Sequence, residues 1–137
     1  MAGENQLESG SRDFFTYSAF FLPIGASAGA VVNVPIQADS AFAVMAITGD
    51  VRDLVTNETS IATPAMVLLL RDGGTGRVLM DQAQVWPNII GTAQRPFFLP
   101  TPKILKPNST LVVELTNQAA AARQARISFV GFKIFPS

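Results

Sequence analysis

The sequence predicts an all-β protein, an antiparallel β-sandwich whose expected form is an eight-stranded jelly roll. Apolar residues alternate with polar or small ones through most of the chain, as in strands with one buried face. Glycine, proline, asparagine and aspartate interrupt these runs at short intervals, and almost no segment suggests a helix. A closed barrel and an immunoglobulin-like sandwich remain as alternatives.

The first three strands are expected between residue 13 and residue 48. Alternation starts at Asp13 and continues until Pro23. The second strand, 32–36, contains Pro35, which has no N–H to donate, so this strand should lie at an edge or carry a bulge. The third strand, 41–48, should end at Gly49-Asp50.

The middle of the chain predicts a loop followed by a hairpin. Residues 50–64 form either a long loop or a short helical turn that Asp50 would cap over Val51, Leu54 and Val55. The next strand, 66–71, reaches the turn sequence Asp72-Gly73-Gly74-Thr75-Gly76, and its partner should be 77–82. A further strand should start at Gln84 and break at Pro87.

The stretch PFFLPTPKIL, residues 96–105, is expected to be an edge strand or an extended segment. Prolines recur through it and just after it, and a central strand cannot accommodate them. Such prolines also prevent an edge from pairing with another chain. A turn at 106–109 then leads to a strand at 110–117, and the last strand should cover 126–135.

The chain length indicates one folded domain with a terminal arm. A chain of 137 residues falls within the usual size of a single domain. Residues 1–12 are polar, small or charged without periodicity, so they predict a flexible arm, and 13–137 would form the sandwich.

The composition favours a protein partner over nucleic acid or membrane. Ten basic and ten acidic residues give a net charge of zero, so no basic surface for nucleic acid is evident. No apolar run approaches the roughly 20 residues that a membrane helix needs, and the N-terminus lacks a signal-peptide pattern, which suggests folding in a cytoplasm. Only 15% of residues are charged and 48% are hydrophobic, so another chain should cover part of the surface.

The residue types argue against an enzyme, a cofactor and a metal site. The chain has no cysteine and no histidine, which removes the commonest nucleophile, general base and metal ligands. The glycine-rich run 71–77 leads into a strand and not into a helix, so a hairpin is favoured over a phosphate-binding loop. Asp50, Asp53, Asn57 and Glu58 lack calcium-loop spacing and are interpreted as solvated loop residues.

Large apolar side chains are the candidates for a binding surface. Trp86, Phe97 and Phe98 could fill the core, stack on a sugar or anchor a protein interface. Adjacent strand residues face opposite ways, so Phe97 and Phe98 cannot both point inward. The candidate interface residues are Phe14, Trp86, Phe97, Phe98, Leu99 and Ile104.

The C-terminal half, residues 65–137, resembles small jelly-roll proteins of tailed bacteriophages. The similarity lies in the order of the segments PFFLPTPKIL, PNSTLVVELTN and, after a short alanine-rich gap, RISFVGFKIF. Such proteins serve as capsid cement or decoration proteins, or as tail and fibre components. They bind through surfaces, so no single functional residue can be assigned from the resemblance.

The resemblance implies a structural virion protein that stabilises a phage head by bridging capsid subunits. Its partners would be the major capsid protein and further copies of itself, as a homodimer or homotrimer. It would lie on the capsid surface after synthesis in the bacterial host cytoplasm. The alternative is a carbohydrate- or receptor-binding jelly roll of a tail or fibre, with Trp86 exposed near an aspartate or asparagine.

Overall fold

The computed structural model describes residues 12–53, 61, 64–92 and 94–136. The elements in this part of the chain are β1 (Arg12–Ile24), β2 (Gly29–Pro35), β3 (Ala41–Asp53), β4 (Met66–Asp72), β5 (Arg77–Val78), β6 (Gln84–Val85), α1 (Trp86–Ile89), β7 (Phe97–Leu105), β8 (Thr110–Asn117) and β9 (Arg123–Ile134). The arm expected at 1–12 lies outside the described residues except for Arg12, which opens β1.

The strands form two antiparallel sheets with jelly-roll connectivity. Sheet A has the order β1-β9-β3-β7, and sheet B has the order β2-β8-β4-β5, with β6 also paired to β4. The pairs are nested along the chain, since β1 pairs with β9, β2 with β8, β3 with β7, and β4 with β5 and β6. The predicted fold class is therefore confirmed. The described residues form nine strands, whereas eight were expected. The difference arises because two short strands, β5 and β6, both pair with β4 along the same edge of sheet B.

The core fills the space between the two sheets with alternate side chains from each. Phe21, Phe42 and Phe129 come from sheet A, and Leu68 and Leu115 come from sheet B; all five are fully buried. Burying each such side chain contributes about 1.5–3 kcal/mol to stability. One ion pair also joins the layers, because Lys103 Nζ on β7 lies 3.5 Å from Asp72 Oδ2 on β4.

Strand β3 is longer than the sequence predicts. The expected end at Gly49-Asp50 is wrong, because β3 continues to Asp53. Its partner β9 pairs with it throughout this extension, from Gly49 opposite Ile127 to Asp53 opposite Arg123. This ladder outweighs the local preference of Gly-Asp for a turn. The interpretation of Asp50 as a helix cap is therefore also wrong, while Leu54 and Val55 lie outside the described residues.

The proline-rich stretch forms an edge strand, as predicted. Strand β7 pairs with β3 alone, at the end of sheet A. Val44 lies opposite Lys103 and Ala46 opposite Phe98, so the four residues Leu99 to Pro102 stand opposite Met45 alone. The prolines of the LPTP segment therefore occupy a bulge, where no ladder hydrogen bond is required of them.

The predicted hairpin after β4 is present, but its second strand is shorter than expected. Asp72 lies opposite Arg77, and its Oδ1 accepts a hydrogen bond of 2.9 Å from the N–H of Gly74 in the turn. Only Arg77 and Val78 form β5, so the expected strand 77–82 is corrected. After the hydrogen bond of 2.9 Å from Leu79 N–H to the Leu70 carbonyl, the chain bends away from β4.

The segment around Trp86 turns inward and does not continue as a strand. Strand β6 ends at Val85, and Pro87 lies in the first turn of α1, where its missing N–H costs nothing. Trp86 packs in the core with Ile90. Within the described ranges no helix is long and apolar enough to cross a membrane.

Candidate functional site

The outer face of sheet A, which points away from the core, carries a row of apolar side chains across all four strands. The register places Phe14 of β1 opposite Phe132 of β9, Phe132 opposite Ala43 of β3, and Ala43 opposite Ile104 of β7. Residues opposite one another on the same face have Cβ atoms about 5 Å apart, so these four side chains form one continuous row.

A second row runs parallel to the first. Thr16 lies opposite Val130, Val130 opposite Ala46, and Ala46 opposite Phe98. Together with Met45, the two rows form what we call the apolar face, and its members are Phe14, Thr16, Ala43, Met45, Ala46, Ile104, Phe98, Val130 and Phe132.

A β-bulge at Met45 keeps both rows on the outside. Val44 lies opposite Gly131 and Ala46 opposite Val130, so Met45 is an extra residue in β3. Val44 and Ile47 both belong to the core, although three positions separate them, and a regular strand would send one of them outward. The bulge therefore shifts the alternation by one residue.

The small residues of the apolar face lie beneath its large ones. Ala43 and Ala46 are buried, yet neither belongs to the core cluster between the sheets. Their neighbours are strongly exposed, with Phe14 at 77%, Phe98 at 66% and Ile104 at 48%. A buried aromatic side chain removes roughly 150–250 Å² from solvent, so the apolar face offers roughly 500 Å² of apolar surface to a partner. That area is at the upper end of what an isolated protein normally exposes.

Polar and charged residues border the apolar face toward the far end of the sheet. Ser18, Ser128 and Thr48 form the next row across β1, β9 and β3. Beyond them the Arg126 guanidinium lies 4.7 Å from the centre of the Phe20 ring. Asp50 is opposite Arg126 and forms an ion pair of 2.6 Å with Arg52. An apolar centre with a polar border is the arrangement found in protein interfaces.

At the other end, Arg12 covers one member of the apolar face. Its guanidinium carbon lies 5.0 Å from the centre of the Phe132 ring. Such a cation–π contact contributes about 0.5–1 kcal/mol at an exposed site. Arg12 therefore shields Phe132 in the isolated chain, while Phe14 beside it stays exposed.

The structure divides the predicted interface residues into two groups. Phe14, Phe98 and Ile104 lie on the apolar face, whereas Phe97 and Leu99 are half-buried against the core. Trp86 is only 4% exposed, so the core reading of this residue is confirmed and its place among the interface residues is corrected. Its indole fills the space above Gly49, where an added Cβ would lie 2.7 Å from the ring.

Sequence reasoning missed Phe132, Val130 and Met45. The alternation of 126–135 does place Val130 and Phe132 on one side of a strand, so this signal was present. It could not show which side faces solvent. The exposure of Met45 depends on the bulge, for which the local sequence carries no sign.

The charged cluster around Lys133 is separate from the apolar face. It joins β9 to the connection between β2 and β3. The buried Lys133 ammonium donates to Gln37 Oε1 at 2.6 Å and to Asp39 Oδ2 at 3.2 Å, and it lies 4.2 Å from the centre of the Phe15 ring. Desolvation alone would raise the pKa of Asp39, but the hydrogen bonds from Lys133 and Ser40 and the Lys133 charge outweigh it and lower the pKa. Among the described residues, no group of three or more acidic side chains could hold a metal ion.

The Asp39 pKa predicts a loss of stability in acid that depends on this residue. Because the folded state lowers the pKa, ionised Asp39 stabilises the fold above its unfolded value near pH 3.8, and the effect is lost as pH falls below that value. We expect Asp39→Asn to lower the melting temperature at pH 7, and we expect the difference from wild type to shrink as pH falls through the lowered folded-state pKa of Asp39. Thermal melts from pH 7 to 2.5 measure this. An equal difference at every pH would contradict the assignment.

Comparisons with known proteins identify no family for this chain. No family model matches the chain, and no curated protein sequence matches it significantly. Among solved structures, the chain is similar to a chain described as "Cyanophage Pam1 capsid asymmetric unit", with a TM-score of 0.47 and 19% sequence identity over 93% of this chain and 87% of that one. At this identity and TM-score, the likeness carries no functional weight.

Proposed function

We propose that this chain is a structural protein of a bacteriophage virion, a cement or decoration protein that binds the major capsid protein. The observation that carries the proposal is the apolar face, which runs across all four strands of sheet A. A surface of this size and composition is suited to burial against another protein.

The apolar face would form the centre of a contact of ordinary size. A standard interface buries about 800 Å² on each partner, of which its roughly 500 Å² would be the apolar part. The bordering Ser18, Ser128 and Thr48 would supply the polar rim. A protein that binds only the assembled shell stabilises that shell by mass action, with no reaction and no cofactor.

The virion setting is supported by the sequence resemblance in residues 65–137. The three segments of that resemblance become β7, β8 and β9, and β7 and β9 contribute Ile104, Phe98, Val130 and Phe132 to the apolar face. The resembling part of the chain thus supplies four of the nine members of the apolar face. The capsid surface would be its location and the host cytoplasm its place of synthesis.

The alternative, a carbohydrate- or receptor-binding component of a tail or fibre, lacks the exposed tryptophan that it predicted. That reading required Trp86 on the surface beside an aspartate or asparagine. The indole lies in the core, packed against Ile90 and Gly49. No other tryptophan is present to replace it, because the chain has only one.

A count of copies in purified particles tests the proposed function. We expect quantitative mass spectrometry of particles from the producing host to find this chain at a copy number comparable to that of the major capsid protein. A few copies per particle would assign it to a tail or fibre. Absence from particles would overturn the virion role.

A substitution on the apolar face tests the surface itself. Ile104→Asp should weaken binding to shells by at least about tenfold, since burying a charge within an apolar contact is strongly unfavourable. Val78→Asp is the matched control, because both side chains are 48% exposed and Val78 lies on sheet B. Co-sedimentation with shells stripped of this chain measures both. Equal binding by the two variants would contradict the assignment of the surface.

A further inference from the structure

Strand β1 forms one edge of sheet A and leaves its outer side without a strand partner among the described residues. It is 13 residues long and pairs with β9 alone. Its central part, 14–22, reads FFTYSAFFL, with no charge and no proline. A long apolar edge of this kind exposes N–H and C=O groups that can pair with another strand.

The other sheet edges carry features that discourage such pairing. Strand β7 has Pro100 and Pro102 within its bulge. Strand β2 has seven residues and ends in Pro35, and β5 has two residues, one of them Arg77. Proline, charge, bulges and short length are the usual means of protecting an edge, and β1 lacks them from Phe14 to Phe21, ahead of the register shift between Phe21 and Ile24.

We propose that β1 pairs with β1 of a second copy of this chain, antiparallel, with the two-fold axis at Ser18. The pairing would join the two copies of sheet A into one continuous sheet of eight strands. It does not depend on a virion role, since it concerns the chain by itself.

The alternation of β1 limits the possible registers. Both copies must keep their cores on the same side of the joined sheet, so outward residues must lie opposite outward residues. The outward residues of β1 are Phe14, Thr16, Ser18, Phe20 and Leu22. Since the outward residues have even numbers, the two-fold axis must pass through a residue and not between two residues. The three such registers closest to the strand centre place the axis at residue 17, 18 or 19.

The register centred on Ser18 gives the best side-chain pairs. It places Phe14 opposite Leu22 of the second copy, and these two side chains are 77% and 74% exposed. Thr16 then lies opposite Phe20 of the second copy, and the small Ser18 lies opposite itself. Apolar cross-strand pairs of this kind stabilise a sheet by about 0.2–1 kcal/mol each.

The neighbouring registers pair β1 less well. With the axis at Tyr17, the charged Arg12 lies opposite Leu22 of the second copy. With the axis at Ala19, Phe14 lies opposite Ile24, which points into the core. Only the Ser18 axis covers the two most exposed apolar side chains of the strand with each other.

Backbone pairing and charge both permit this dimer. Nine residues from each copy, 14–22, would form about nine backbone hydrogen bonds, close to the number in a typical protein interface. The formal net charge of the chain is zero, so two copies do not repel one another at long range. The outward side of the joined sheet would carry two apolar faces, one from each copy.

A single cysteine at the axis tests the pairing directly, because the chain contains none of its own. Directly opposed residues of antiparallel strands have Cα atoms about 4.5–5.5 Å apart, within the range that a disulfide spans. We expect Ser18→Cys to form a covalent dimer under mild oxidation. Asn33→Cys, exposed in the middle of the edge strand β2, is the matched control and should remain monomeric on a non-reducing gel.

Charge exchange across the proposed pair tests the register. Phe14→Glu and Leu22→Lys should each weaken dimerisation about tenfold, because each places two charges against apolar side chains across the two-fold axis. The double variant should recover most of this loss, since Glu at 14 would face Lys at 22 of the second copy. Sedimentation equilibrium of the full chain measures all four proteins, and circular dichroism checks their fold.

Distinct results would overturn the proposal. A wild-type chain that remains monomeric at about 100 μM would exclude the dimer. A dimer in which Ser18→Cys does not crosslink, or in which the double variant is weaker than either single variant, would exclude this edge or this register. Dimerisation through the apolar face predicts a different pattern. Phe14→Glu would weaken that dimer and Leu22→Lys would not, because Leu22 lies outside the apolar face, so the double variant would match Phe14→Glu and show no recovery.

Discussion

Replacing Gly131 with alanine is expected to lower the free energy of unfolding by about 3 kcal/mol or more. A Cβ added at this position would lie 1.8 Å from the carbonyl oxygen of Ala43 and 2.9 Å from its carbonyl carbon. Both atoms belong to the backbone of the adjacent strand, so no side chain can move aside to make room. The substitution therefore forces β3 and β9 apart at the Met45 bulge.

Chemical denaturation of Gly131→Ala beside Gly25→Ala measures this effect. Gly25 is the matched control, because its added Cβ would meet only the Ala28 side chain, at 3.9 Å. We expect the control to change stability by less than about 1 kcal/mol. A Gly131→Ala protein as stable as the control would show that the two strands do not approach this closely.

The same glycine links the fold to the apolar face. The bulge that it permits places Val44 and Ile47 in the core and leaves Ala43 and Ala46 outside. Without the extra residue, the alternation on one side of Met45 would be reversed, and one of the two apolar rows would lose its β3 member. The composition of the candidate surface therefore depends on a close backbone contact.

Local patterns predicted the strands well where one face of the strand meets the core. The alternation of 110–117 and the turn at 72–76 needed no information from elsewhere in the chain. The end of β3 could not be predicted in this way, because the pairing of Gly49 to Asp53 with β9 overrides a local turn signal. Long-range pairing is a property of the assembled sheet, which a window of sequence does not contain.

The candidate site was predictable in part, for a similar reason. Phe14, Phe98 and Ile104 could be identified because they are large apolar residues. Trp86 was assigned to the same group on its size, yet Pro87 starts a turn of helix that directs the indole inward. Phe97 and Phe98 are the same residue type and differ only in the side of the sheet that they face. That side is fixed by the pairing of Ala46 with Phe98.

Asn117→Asp is expected to be the other strongly destabilising substitution, at about 4 kcal/mol near pH 7. The fully buried Asn117 side chain joins two connections at one end of the sandwich. Its Nδ2 donates to the carbonyl oxygens of Ile24, Gly25 and Ala121 at 3.0, 3.2 and 3.0 Å, and its Oδ1 accepts from Ala119 N–H at 2.9 Å. A carboxylate there would lose every donor and face three carbonyl oxygens.

The pH dependence of this variant separates a charge effect from a packing effect. Burial beside carbonyl oxygens should raise the pKa of the new carboxyl group, so its cost grows as pH rises through that value and shrinks in acid. We expect urea midpoints of Asn117→Asp and wild type to approach each other between pH 7 and pH 4. Asn33→Asp, exposed on β2, should show no such convergence. A loss of stability that is the same at both pH values would mean that shape, and not the hydrogen-bond donors of Asn117, holds the β1–β2 and β8–β9 connections together.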